Sequence, residues 1–166
     1  MYISRAIEQT IQSISNTFPI LLVTGPRQVG KTTMLKHLAG PERTCITLDD
    51  PELRALAARD PALFFQRFPP PLLIDEIQYA PDLLPYIKMQ VDHFHKPGDF
   101  WLTGSQAFPL MKNVSESLAG RGGIVSMLGL SSSEISRIPS EPFSTKPDYL
   151  MKRRKTAKKN GTDGDL

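Results

Sequence analysis

The sequence predicts an α/β domain, a parallel sheet covered by helices on both faces. Three observations carry this. Apolar runs of strand length recur, as in "ILLV", "PLLI" and "DFWL". Longer stretches with apolar residues at helical spacing lie between them, and that alternation marks a parallel sheet buried on both sides. The first run ends in "TGPRQVGKTT", Thr24 to Thr33, a glycine-bounded loop that opens a helix. A chain of 166 residues suits one such domain with a sizeable core.

The elements follow in order. Ile3, Ile7, Ile11 and Ile14 recur at helical spacing and predict an amphipathic helix over 2–15. "ILLVT" reads as a buried strand ended by Gly25, and Lys31 to Leu38 as a helix closed by Gly40-Pro41. "CITLDD", Cys45 to Asp50, reads as a second strand. Asp50 is a helix N-cap, with Pro51 at the first helical position and Glu52 at the positive end. "DPALFFQRF" starts another helix from Asp60 in the same way, and a Pro lead-in precedes a third strand ending at Asp75-Glu76. Leu83, Ile87, Val91 and Phe94 share one face of a helix, and "GDFWLTGS" is a fourth strand ending near Thr103. Asn113 to Ala119 reads as a short helix and "GGIVSMLGL" as a fifth strand. Beyond Pro139 the pattern gives way to Pro, Ser, Lys and Gly, which predicts a core over 1–138 and a basic, disordered tail over 139–166.

Charge separates these two parts. The formal net charge is +3, but six basic and two acidic side chains lie from Lys152 onward, leaving 14 basic and 15 acidic in the rest. The body is therefore not a basic nucleic-acid surface, and contact with nucleic acid is left to the tail. Cys45 is the only cysteine, which rules out an internal disulfide and a cysteine metal cluster. The opening residues lack the apolar stretch of a signal peptide, and no apolar run approaches bilayer length. A cytoplasmic protein without membrane partners is the expectation.

Gly25-Pro26-Arg27-Gln28-Val29-Gly30-Lys31-Thr32, continued by Thr33, fits the phosphate-loop pattern GxxxxGK(S/T). Its glycines let backbone N–H groups turn inward around phosphates. Lys31 supplies charge at the β and γ oxygens, the Thr32 hydroxyl is a Mg²⁺ ligand, and the helix N-terminus adds its dipole. The strand "LLIDE" delivers Asp75 to the sheet edge where α/β proteins bind ligands, as a second holder of Mg²⁺. Glu76 is then placed to deprotonate a water. A carboxylate pair at that edge suits hydrolysis better than transfer to an acceptor, and no Asn-Lys-x-Asp guanine signature occurs. In "LTGSQ", Thr103 or Ser105 would bond the γ-phosphate or the attacking water if the fourth strand lies between the first and third; a plain Gly-Ser turn is the alternative. Arg121, just before the fifth strand, is either a surface arginine or a group that neutralises transition-state charge, in its own subunit or a neighbour's.

Five ordered segments, Gly25–Thr33, Asp49–Glu52, Leu72–Gln78, Leu102–Ser105 and Ser117–Arg121, together with the opening "YISR", resemble bacterial and archaeal AAA-family ATPases of the "GPRQVGKTT", "LLIDEIQ", "LTGS", "SLAGR" type. The resemblance covers about Tyr2 to Ile138. It implies a three-layer P-loop fold of the ASCE type with five parallel strands, the Thr103 strand lying between the loop strand and the Asp75 strand. It also implies ATP and Mg²⁺, Glu76 as catalytic base, Thr103 and Ser105 near sensor 1, and Arg121 as arginine finger or sensor. Homo-oligomers or a protein partner are expected. Members are usually more than twice as long, and beyond the "SSSEI" junction, Ser131 to Ile135, the likeness stops. A truncated or frameshifted member is the expectation, with a nucleotide-dependent binding module as the alternative to an active ATPase.

His93 and His95 are a weak metal pair, Phe94, Phe100 and Trp101 read as core, and Asp49 and Asp50 as helix-capping residues.

Overall fold

The computed structural model describes residues 2–105, 119–137 and 147–151. Five parallel strands form one sheet: β1 (Ile20–Thr24), β2 (Thr44–Thr47), β3 (Leu72–Asp75), β4 (Phe100–Gly104) and β5 (Gly122–Ser126), in the order β2-β3-β4-β1-β5. The helices are α1 (Glu8–Thr17), α2 (Lys31–Leu38), α3 (Pro51–Arg59), α4 (Pro61–Arg67), α5 (Leu83–Phe94) and the short α6 (Ser132–Ile135), with a 3₁₀ turn over Ile77–Tyr79. The expected insertion of the fourth strand between the first and third is present: β4 pairs with β1 on one side and β3 on the other.

The apolar strands are continuous runs because both faces of the sheet are covered. Ile20, Leu22, Leu72, Ile74, Phe100 and Leu102 face one core, with α3, α4 and α5 over it through Ala57, Phe64, Phe65 and Ile87. Leu21, Val23, Leu73 and Trp101 face the other, closed by Ile11 of α1 and Met34 and Leu35 of α2. Side chains alternate faces along a strand, so each run feeds both cores in turn.

Local chemistry explains the helix starts. The Asp50 carboxylate accepts from the Glu52 N–H at 2.8 Å and the Leu53 N–H at 3.4 Å, with Pro51 just inside α3. Asp60 caps α4 through the Leu63 N–H at 2.9 Å. Asp49 caps none of the described helices; its N–H donates to the Thr47 hydroxyl.

Three expectations are corrected. The first helix begins at Glu8 rather than near residue 2, because the Glu8 carboxylate captures the Arg5 N–H at 2.5 Å and the Tyr2 hydroxyl at 2.6 Å, anchoring the preceding segment outside the helix. The second strand stops at Thr47, since Leu48 to Asp50 turn into the α3 cap. Phe94 is 69% exposed: α5 ends there, and His95 takes a left-handed conformation that carries the chain off the sheet. Phe100 and Trp101 are buried as expected. Residues 113–118 of the expected short helix and most of the tail lie outside the described residues, while 147–151 are helical.

Candidate nucleotide site

The loop between β1 and α2 is shaped by its glycines. Gly25 has φ +149°, and a Cβ built there would lie 2.1 Å from the Met127 carbonyl oxygen, so only glycine allows this approach to the segment leaving β5. Gly30 has φ +91° and turns the chain into α2. Between them Gln28 also has positive φ. The ammonium of Lys31, 5% exposed, spans the loop and donates to the carbonyls of Gly25 at 3.0 Å and Pro26 at 2.8 Å.

The loop meets the third strand through one hydrogen bond. The Thr32 hydroxyl donates to Asp75 Oδ1 at 2.5 Å, and the hydroxyl of Thr103, fully buried on β4, donates to the same oxygen. Asp75, Thr32 and Thr103 are thus brought together from three elements. A carboxylate oxygen and a hydroxyl at this separation are hard donors of the kind that hold Mg²⁺, so the residues fit that ion.

Glu76 follows Asp75 in a left-handed conformation, φ +59°, uncommon for a residue with a side chain. Its N–H donates to Thr103 Oγ1 at 3.0 Å. The side-chain amide of Gln78 donates both to the Glu76 carboxylate and to Ser105 Oγ, the latter at 3.1 Å. Thr103 therefore bonds Asp75 and the Glu76 N–H directly, and Ser105 is linked to Glu76 through the Gln78 amide. Pro26 and Val29 contribute carbonyls to Lys31 and Arg5, Thr33 lies in the first turn of α2, and Arg27 donates to the Tyr79 hydroxyl at 2.9 Å. The Tyr79 ring also lies under the Arg54 guanidinium, 4.3 Å from its centroid.

Arg121 is elsewhere. It precedes Gly122, which pairs with Ile20 at the start of β1, whereas the phosphate loop follows Thr24 at the end. Five residues at about 3.3 Å each put roughly 16 Å of strand between them. The guanidinium is paired with the Asp92 carboxylate near the end of α5, with Nη2 at 3.0 Å from Oδ2. The hydrogen bond from Arg121 holds Asp92 below the usual carboxylate range and raises Arg121 in turn. The alternative in which Arg121 reaches the site of its own subunit therefore fails on geometry.

Sequence reasoning passed over Gln78 and Arg5. Gln78 lies in the quoted "LLIDEIQ", and its spacing two residues past Glu76 was the available signal. Arg5 is 9% exposed and bonds Val29 O at 3.0 Å, Leu128 O at 2.7 Å, Gly129 O at 3.0 Å and Glu134 at 3.1 Å. Its signal was an arginine among the apolar residues of the expected first helix. Among the described residues no group of three or more His, Cys, Asp or Glu side chains is arranged to hold a metal. His95 stays local, one ring nitrogen 3.1 Å from Val91 O.

The sheet order and the joined loop, Asp75 and Thr103 set the frame for comparison with known proteins. The profile of the AAA domain family matches residues 17–136, most of the chain. The chain belongs to the AAA domain family. By fold and by loop it is of the P-loop type. Uncharacterized proteins of Mycobacterium tuberculosis (Rv2008c) and Mycobacterium bovis (Mb2031c) are each 40% identical to it over 113 residues, 68% of this chain. This AAA domain spans about a quarter of the length of those curated relatives, the aligned part being 25% of each. Among solved structures, a RuvB variant of Thermotoga maritima aligns with a TM-score of 0.51 at 19% identity, over 80% of this chain and 47% of that one, a likeness of fold alone. A DnaC helicase loader aligns at TM-score 0.49 and 15% identity, over 76% of this chain and 94% of that one. No helix among the described residues is long and apolar enough to cross a membrane.

Proposed function

We propose that this AAA domain binds MgATP and hydrolyses it with water as nucleophile. The observation that carries the reading is the convergence on Asp75 Oδ1 of the Thr32 hydroxyl from the loop helix and the Thr103 hydroxyl from β4, with Glu76 next in the chain. Gly25, Gly30 and the Lys31 ammonium take the phosphates, and Thr32 and Asp75 hold Mg²⁺. When bound, that ion neutralises charge on the β and γ oxygens. Glu76 takes a proton from the attacking water, Ser105 orients it, and Thr103 positions Asp75 and Glu76.

Arg121 enters this scheme only across an interface. Its place at the opposite sheet edge, with the charge already held by Asp92, supports a role on a neighbouring copy's γ-phosphate. A homo-oligomer is then the active species.

A second reading, a nucleotide-dependent binding module with little turnover, is favoured by one contact: the Glu76 carboxylate is engaged by Gln78. Phosphate release from MgATP distinguishes the two. The hydrolytic reading expects release above that of a Lys31→Ala control, rising with protein concentration. Tight MgATP binding with no release at any concentration supports the second reading. Transfer of the labelled γ-phosphate to a small acceptor would contradict both.

A further inference from the structure

The segment leaving β5 touches the phosphate loop at one end and is tied to it through a side chain at the other. At the first, the Met127 carbonyl lies against Gly25, while the Met127 N–H donates to Thr24 O at 2.7 Å. At the second the link is Arg5. Its Nη1 donates to Val29 O, its Nη2 to the carbonyls of Leu128 and Gly129, and its Nε to Glu134. Four of the five guanidinium N–H donors are thus placed, on a side chain only 7% exposed. Glu134, 10% exposed, also accepts the Ala6 N–H at 2.8 Å and the Ser131 N–H at 2.7 Å, closing the capping box that starts α6.

We propose that Arg5 is a positioning residue for the phosphate loop, and that through it nucleotide occupancy and the placement of residues 127–134 are linked. The peptide unit gives the physical reason. It is planar and trans, so the Val29 carbonyl and the Gly30 N–H point in opposite directions. Holding the carbonyl from outside the loop aims the Gly30 N–H away from Arg5. That N–H stands at the turn into α2, where a phosphate is received. The same guanidinium fixes the Leu128 and Gly129 carbonyls, so the loop cannot reshape around a phosphate without altering the bonds of the exit segment. Linkage is reciprocal: whatever restrains or displaces 127–134 changes nucleotide affinity by the factor with which nucleotide changes that segment. The opening "YISR" and the junction "SSSEI" are distant in sequence, and this contact gives both a task at the loop.

The inference rests on nucleotide binding at the loop and needs no turnover, so MgADP is the probe. Affinity is measured for the unaltered chain, Arg5→Lys, Arg5→Ala, Glu134→Gln and the Lys31→Ala control, with backbone hydrogen exchange followed over 25–31 and 128–134. A lysine keeps the charge and cannot span three carbonyls and a carboxylate at once. The expected result is that MgADP slows exchange over 128–134 in the unaltered chain. Arg5→Lys should weaken MgADP about fivefold or more and abolish that slowing while still melting cooperatively. Arg5→Ala should weaken binding at least as much where it folds, and Glu134→Gln should have a smaller effect. Unchanged exchange over 128–134 on MgADP binding would overturn the inference, as would Arg5→Lys that binds within twofold and keeps the slowing. If the unaltered chain binds MgADP no better than Lys31→Ala, the nucleotide reading fails and takes the inference with it.

Discussion

The two edges of the sheet are built on different principles. At the carboxyl edge the polar groups are buried and shared: one oxygen of Asp75, itself 8% exposed, receives hydroxyls from two elements, and Lys31 is nearly enclosed by its own loop. At the amino edge, Arg121 and Asp92 form an exposed pair that solvent and salt weaken. Buried donors and acceptors call for partners, and at the first edge Asp75, Thr32, Thr103 and Lys31 find theirs within the protein. An exposed pair is easily exchanged for another partner. In the proposed scheme the first edge receives the nucleotide, and the second presents Arg121 to a neighbour on giving up the Asp92 pair.

Arg121→Ala tests that contrast with the largest expected effect. Acting across an interface, it should lower turnover about 1000-fold with nucleotide affinity nearly unchanged, read by phosphate release and equilibrium binding in parallel. Equal turnover would return Arg121 to the role of a surface residue. Asp75→Asn should reduce Mg²⁺-dependent turnover about 100-fold or more, checked by titrating Mg²⁺ at fixed ATP. Gly25→Ala sets a methyl group against the Met127 carbonyl at a positive φ; it should cost about 2–3 kcal/mol in urea denaturation and lower nucleotide affinity as well. The smallest effect concerns Glu134. Burial pushes its carboxyl up, but hydrogen bonds from the Ser131 and Ala6 N–H groups, the Arg5 guanidinium and the Ser131 hydroxyl outweigh this and hold it at about 2, below the ordinary 4.5. A depressed carboxyl adds stability that is complete above its unfolded value and lost as pH falls through the folded one. Stability should therefore decline between about pH 4.5 and 2, and Glu134→Gln should flatten that part of the curve in denaturant titrations at stepped pH.

Much of the fold was legible because its signals are local. Lys31–Leu38 and Leu83–Phe94 follow from apolar spacing with Gly and Pro punctuation, and α3 starts where Asp50-Pro51 caps it. The Asp75 strand was recognisable as a buried run ending in carboxylates. What stayed hidden depends on contacts far apart in sequence. Nothing near Ile3 and Ile7 reveals that Glu8 captures the preceding segment, or that Arg5 spans to Glu134. The opposite placement of Arg121 follows from strand register, since a residue before a parallel strand sits at the edge away from the loop. Phe94 had the right spacing for the core but falls where its helix ends, and spacing alone does not tell a last turn from a middle one.

The central claim, that Glu76 activates water for MgATP hydrolysis, is tested most directly by Glu76→Gln. Single-turnover phosphate release and ATP binding should be measured on the same preparation of each chain. The account predicts ATP bound within about threefold of the unaltered chain and phosphate release lowered about 100-fold or more. Release at the unaltered rate by the folded variant would contradict it.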